Sequence, residues 1–148
     1  LHLTQQVAKR MIKQGTDQPE GQLGSIINLS SIASRNTRPE LMGYSIASAA
    51  LEQMTRSMAL ALAPERIRVN AVAFGSVMSA SLKSSVVEHS DWREDITSHT
   101  PLGRIAGPAE LTDAVQFLAA ESSGFMTGEV ITVDGGRSLL DVVSAPAH

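Results

Sequence analysis

A chain of 148 residues, 43% hydrophobic and 18% charged, is long enough for one domain, residues 1–148, with an apolar core. The formal net charge is −3, with acids and bases interspersed, which argues against a nucleic-acid footprint and against a basic membrane-binding face. Cysteine is absent, so there is neither a disulfide framework nor a thiolate site, and no apolar run reaches the length of a membrane span or a signal peptide; a cytoplasmic protein is the expectation.

Leu3, Val7, Ala8, Met11 and Ile12 recur at helical spacing, and the pattern stops at a polar loop punctuated by Gly15, Pro19, Gly21 and Gly24. Ser25 to Ser30 reads as a strand. A long helix is predicted from Tyr44 to Ala63, stopped by Pro64. Its Ser57–Ala63 end is apolar on every side, so both faces should be covered, one by the sheet and one by a neighbouring subunit. Ile67 to Ala73 is a β-branched strand, and the polar segment 78–100, with Val86, Val87 and Trp92 as its main apolar residues, reads as a helix-turn-helix cover. Pro108 at a helix start with Glu110 in the first turn opens another helix, and Glu129 to Val133 is the third strand. Residues 141–148 read as a tail.

Strands separated by helices imply an α/β fold with a parallel sheet, right-handed crossovers and flanking helices. His2, His89, His99 and His148 are scattered without ligand spacing, so no metal site is expected.

By themselves, Ser31 at a strand end is a turn residue and Tyr44 a packing group. Their spacing of thirteen, however, stands at the head of an ordered series: Val69-Asn70-Ala71-Val72-Ala73-Phe74-Gly75, Pro101-Leu102-Gly103-Arg104, Thr127-Gly128 and Val133-Asp134-Gly135-Gly136. In that order these segments resemble the short-chain dehydrogenase/reductase family, and in particular the carboxyl-terminal half of a 3-oxoacyl-carrier-protein-reductase-like member.

The resemblance implies a partial Rossmann fold whose nucleotide-binding half is absent from this chain, since none of its eleven glycines falls in G-x-G-x-x-G spacing. It implies NAD or NADP as cofactor, a small carbonyl/alcohol substrate, a homodimer or homotetramer, and a substrate lid at 78–100. Tyr44 would exchange the proton that accompanies hydride transfer, Ser31 would polarise the carbonyl, and Gly75, Val77 and Ser79 would meet the nicotinamide end. Two positions depart from the pattern. Ser48 stands where the family has a lysine that bonds the nicotinamide ribose and supplies a positive charge, and Phe74 replaces a proline, which is expected to place an aromatic ring near the nicotinamide pocket. A unit charge about 4 Å away is worth roughly 4 kcal/mol at an effective dielectric near 20, so its loss removes most of the acid–base assistance. Arg35 and Arg38, in the loop between Ser31 and Tyr44, are candidates for a replacement charge.

Two functions follow. The first is an NAD(P)-dependent oxidoreductase interconverting a carbonyl and an alcohol, with catalytic positions Ser31, Tyr44 and Ser48. The alternative is a catalytically silent binding or oligomer-assembly protein, motivated by Ser48, Phe74 and the missing glycine turn.

Overall fold

The computed structural model describes residues 1–141 and 143; most of the tail expected over 141–148 lies outside the described residues. In chain order the elements are α1 (His2–Gln14), β1 (Gly24–Ser31), α2 (Met42–Leu62), β2 (Ile67–Phe74), α3 (Ala80–Glu88), α4 (Ser90–Ser98), α5 (Pro108–Ala119) and β3 (Val130–Val133), with short 3-10 turns at several junctions. The helix-turn-helix expected over 78–100 is the α3–α4 pair. Helix α2 starts two residues before Tyr44. Pro39, whose ring presets a helical φ, opens the 3-10 turn Pro39–Leu41, and the chain passes from it straight into the helix.

The three strands are parallel in the order β1-β2-β3. Ser31 pairs with Phe74, and Phe74 with Val133, so these three residues form one row near the carboxyl end of the sheet. All eight residues of β2 are buried, as expected for a central parallel strand covered on both faces. On one face Ile67 and Val69 pack with Ala8 of α1 and Ala59 and Leu62 of α2; on the other, Val72 and Phe74 pack with Leu118 of α5. Asn70 ties the second crossover down: its amide donates to Met126 O at 2.9 Å and its side-chain oxygen accepts from Glu129 N at 3.0 Å. The Thr127-Gly128 pair completes that seam, Thr127 Oγ1 accepting from Val69 N and Gly128 N donating to Val69 O.

Strand β1 is an edge of this sheet, and Leu29 on it is exposed. Helix α2 buries one stripe, Ser45, Ser48, Glu52, Thr55, Ala59 and Leu62, against the sheet. Its opposite face carries Ile46 and Leu60, the latter 81% exposed, so within one chain that side of the apolar helix end is uncovered.

Candidate active site

The parallel sheet delivers its predicted site residues to one end. Ser31 closes β1, and Gly75 follows the last residue of β2, at the carboxyl ends of the strands where open α/β sheets bind ligands. Tyr44 lies in the first turn of α2, which packs on the 3-10 turn Ile32–Ser34 immediately after Ser31.

Ser31 Oγ accepts a hydrogen bond from Ala33 N at 3.1 Å, capping that turn. Accepting leaves the hydroxyl proton available for donation to a carbonyl oxygen. Tyr44 is 56% exposed, and among the described residues its hydroxyl has no hydrogen-bond partner. One turn later Ser48 is 6% exposed and sits on the sheet-facing stripe, its carbonyl accepting from Ser30 Oγ at 3.4 Å. The neutral Ser48 brings no charge to Tyr44. Close by on the same stripe, Ser45 Oγ is buried and has no partner among the described residues.

Arg35 has partners of its own. Its guanidinium reaches Glu52 Oε2 at 3.9 Å and donates to Thr132 Oγ1 on β3 at 3.3 Å. Thr132 pairs with Ala73, and Ala73 with Ser30, so the arginine spans the strand row next to that of Ser31. Residues of successive rows point to opposite faces of a sheet. Glu52, which sequence reasoning passed over, is the hub of this network: its Oε1 accepts from Ser30 Oγ at 3.1 Å and Ser34 Oγ at 2.6 Å. The available signal was its place on the buried stripe of α2, where a carboxylate requires partners.

Phe74 is packed into the core. Its ring is buried and belongs to the apolar cluster beneath α5, with Val72 and Leu118, because strand alternation turns residues 72 and 74 to the same face. It is a core residue there.

After β2 the loop is tightly held. Gly75 N donates to Val133 O at 3.0 Å, and a Cβ on Gly75 would stand 2.9 Å from both Cα and Cβ of Asp134, so the approach of the two segments needs glycine. Val77 bridges Ala106 through its neighbours: Ala106 N donates to Ser76 O and Met78 N donates to Ala106 O. The N–H of Val77 itself therefore turns away from Ala106, and among the described residues nothing accepts from it. Ser79 caps α3, its Oγ accepting from Leu82 N at 3.2 Å and keeping its proton free to donate. A free backbone donor and a hydroxyl two residues on suit the carboxamide end of a nicotinamide, so these residues fit that group.

Farther along, Arg104 donates to both carboxylate oxygens of Glu110 at 2.7 and 2.5 Å, and Glu110 also accepts from Gly107 N at 2.8 Å. The Arg104 side chain, then the Gly107 amide, hold the Glu110 carboxyl down at about 2. Burial pushes the Asp134 carboxyl up, but hydrogen bonds from Ser138 and Gly136, with the Arg137 charge, outweigh it and leave it below the usual range. Among the described residues no cluster of metal-ligating side chains occurs, and no helix is long and apolar enough to cross a membrane.

Comparison with known proteins gives a consistent result. The profile of the family described as enoyl-(acyl carrier protein) reductase matches residues 1–138. A 3-oxoacyl-[acyl-carrier-protein] reductase of Thermotoga maritima is 37% identical over 135 residues, 91% of this chain and 51% of that protein. Among solved structures, a gluconate 5-dehydrogenase from Burkholderia cenocepacia in complex with NADP and tartrate superimposes with a TM-score of 0.81 at 31% identity, over 93% of this chain and 51% of that one. A 7α-hydroxysteroid dehydrogenase complexed with NADH and 7-oxo glycochenodeoxycholic acid gives 0.81 at 32% identity, over 91% and 49%. The chain spans about half the length of these relatives.

Proposed function

From the chain's membership of the short-chain dehydrogenase/reductase family, we propose that it carries the substrate half of an NAD(P)-dependent oxidoreductase that interconverts a carbonyl and an alcohol. What supports this reading is that Ser31 and the start of the Gly75–Ser79 loop stand at the carboxyl ends of adjacent parallel strands, and that α2, with Tyr44 in its first turn, packs on the turn after Ser31.

A bound nicotinamide supplies or accepts the hydride. In the reducing direction Ser31 donates its hydroxyl hydrogen bond to the substrate oxygen and so polarises the carbonyl. Tyr44 gives its proton to that oxygen as the carbonyl carbon is reduced, and solvent returns the proton to the phenol. Val77 N–H and the Ser79 hydroxyl would hold the carboxamide end of the cofactor. Ser48 offers at most a hydrogen bond, so turnover is expected to be slow. Residues 78–100, which contain helices α3 and α4, are the proposed lid.

The reading also needs a phosphate-binding half that these 148 residues do not supply. The outer face of α2, with Ile46 and Leu60 exposed, is the proposed contact for self-association as a dimer or tetramer. The intact mass of the protein as its host makes it, set against 15.7 kDa, combined with titration by NADH and NADPH, tests the proposal. A larger mass with dinucleotide binding supports it; a chain of 15.7 kDa that binds neither dinucleotide overturns it. One observation favours the silent alternative, a binding or assembly protein: the neutral, inward-facing Ser48.

A further inference from the structure

The segment after β3 does more than end the sheet. Gly135 and Gly136 take φ of 66° and 87°, reversing the chain above Val133. The Asp134 carboxylate closes that reversal, Oδ1 accepting from Gly136 N at 2.9 Å and Oδ2 from Ser138 N at 2.7 Å. Arg137 lies between the two amides that Asp134 holds, so the backbone from which its side chain leaves is fixed. From there Arg137 Nη1 donates to Ser76 Oγ at 2.8 Å, across 61 residues of sequence.

Ser76 sits in the middle of the Gly75–Val77 stretch. The other tie from this stretch to the end of β3 is a backbone bond, Gly75 N to Val133 O at 3.0 Å, while Gly135 O accepts from Leu102 N at 3.1 Å. The Gly75 bond sets the distance between the two segments. The charged donor on Ser76 adds a side-chain restraint between them, at the residue whose carbonyl, on the other side, accepts from Ala106 N at 3.2 Å. Ser76 is thus gripped from both sides, and the direction of the Val77 N–H follows from that grip.

We infer that Arg137 is a positioning residue for the cofactor, holding Ser76 so that Val77 N–H and the Ser79 hydroxyl face the nicotinamide end without itself touching the dinucleotide. The inference rests on the reading that this loop receives the nicotinamide. A charge-assisted hydrogen bond of this kind is worth about tenfold in affinity when its loss is felt by the ligand.

The test uses the complete protein as its host makes it, with the single variants Arg137→Met, Arg137→Lys and Ser76→Ala, and with Arg137→Met and Ser76→Ala combined in one chain. Binding of NADH and NADPH is read by fluorescence titration, and amide exchange is read at Gly75 and Met78. Expected are faster exchange at both amides in Arg137→Met, a dinucleotide Kd raised about tenfold, partial recovery in Arg137→Lys, and no further loss when Ser76→Ala is added. Wild-type binding that Arg137→Met and Ser76→Ala both leave unchanged overturns the inference alone. A wild-type protein that binds neither dinucleotide overturns the reading beneath it.

Discussion

Ser30 on β1 donates its hydroxyl to the Glu52 carboxylate on α2 at 3.1 Å, one residue before Ser31 and one helical turn after Ser48. Through this bond, and the one from Ser34 to the same oxygen at 2.6 Å, the carboxylate fixes the strand end and the helix against each other behind the candidate site. Replacing Glu52 by alanine takes this acceptor from the half-buried Ser34 hydroxyl and leaves the buried Ser30 hydroxyl only its 3.4 Å bond to Ser48 O. A buried group that loses its partner costs about 1–3 kcal/mol. Glu52→Gln keeps an acceptor for them. Urea denaturation is therefore expected to show Glu52→Ala destabilised by about 1–3 kcal/mol and Glu52→Gln by much less. The half-exposed Arg35, 3.9 Å from the carboxylate, contributes little, so Arg35→Ala is expected to stay within about 1 kcal/mol of wild type.

Tyr44 stands apart from that network. Its hydroxyl is outside the core, so Tyr44→Phe is expected to unfold at the wild-type denaturant midpoint. Turnover, measured with NADPH or NADH and a panel of ketones, is expected to fall about 10²-fold or more, the usual worth of a general acid. Equal turnover in Tyr44→Phe removes the tyrosine from the mechanism.

Acid stability isolates a different pair. Glu110 is held at about 2, below its ordinary value of 4.5, chiefly by the Arg104 side chain. A carboxyl depressed in the folded state stabilises the protein above its unfolded value and loses that contribution as the pH falls through the folded one. The Glu110 contribution is thus full above about 4.5 and gone near 2. Denaturation followed across this window is expected to show Glu110→Gln losing less stability on acidification than wild type. Asp134, lowered in the same direction, adds to the acid loss, and Asp134→Asn is expected to flatten the curve similarly.

How far the sequence carries is clearest at particular residues. The buried run from Ile67 announced β2, and Pro108 with Glu110 announced α5, because both signals are local and strong. The start of α2 was displaced because Pro39 opens a 3-10 turn that feeds the helix early. The motif position of Phe74 does not show that its ring is buried; strand parity counted from Val72 turns it under α5. Ser31, Tyr44 and Gly75 were legible as an ordered motif, yet Glu52 and Arg137 were not. Their partners Ser30 and Ser76 lie 22 and 61 residues away, and only the parallel register and the glycine reversal after β3 bring them together.

Gly75 gives a further check on the close approach of the two strand-end loops. Its absent Cβ would meet Asp134 backbone at 2.9 Å, so Gly75→Ala forces one segment away from the other. Overpacking of this kind costs about 1–3 kcal/mol. Thermal unfolding of Gly75→Ala beside Gly43→Ala, where a Cβ meets nothing within 4 Å, is expected to show the loss at position 75 only.

If this is a short-chain reductase site whose chemistry is limited by the missing charge at position 48, restoring that charge must restore turnover. The decisive comparison is carbonyl reduction by Ser48→Lys and wild type in the complete protein, with folding and dinucleotide binding confirmed for both. Turnover raised about 10²- to 10⁴-fold in Ser48→Lys is the result expected if the rest of the site is intact. A folded Ser48→Lys protein that binds dinucleotide but gains no turnover with any carbonyl substrate contradicts it and leaves a binding or assembly role.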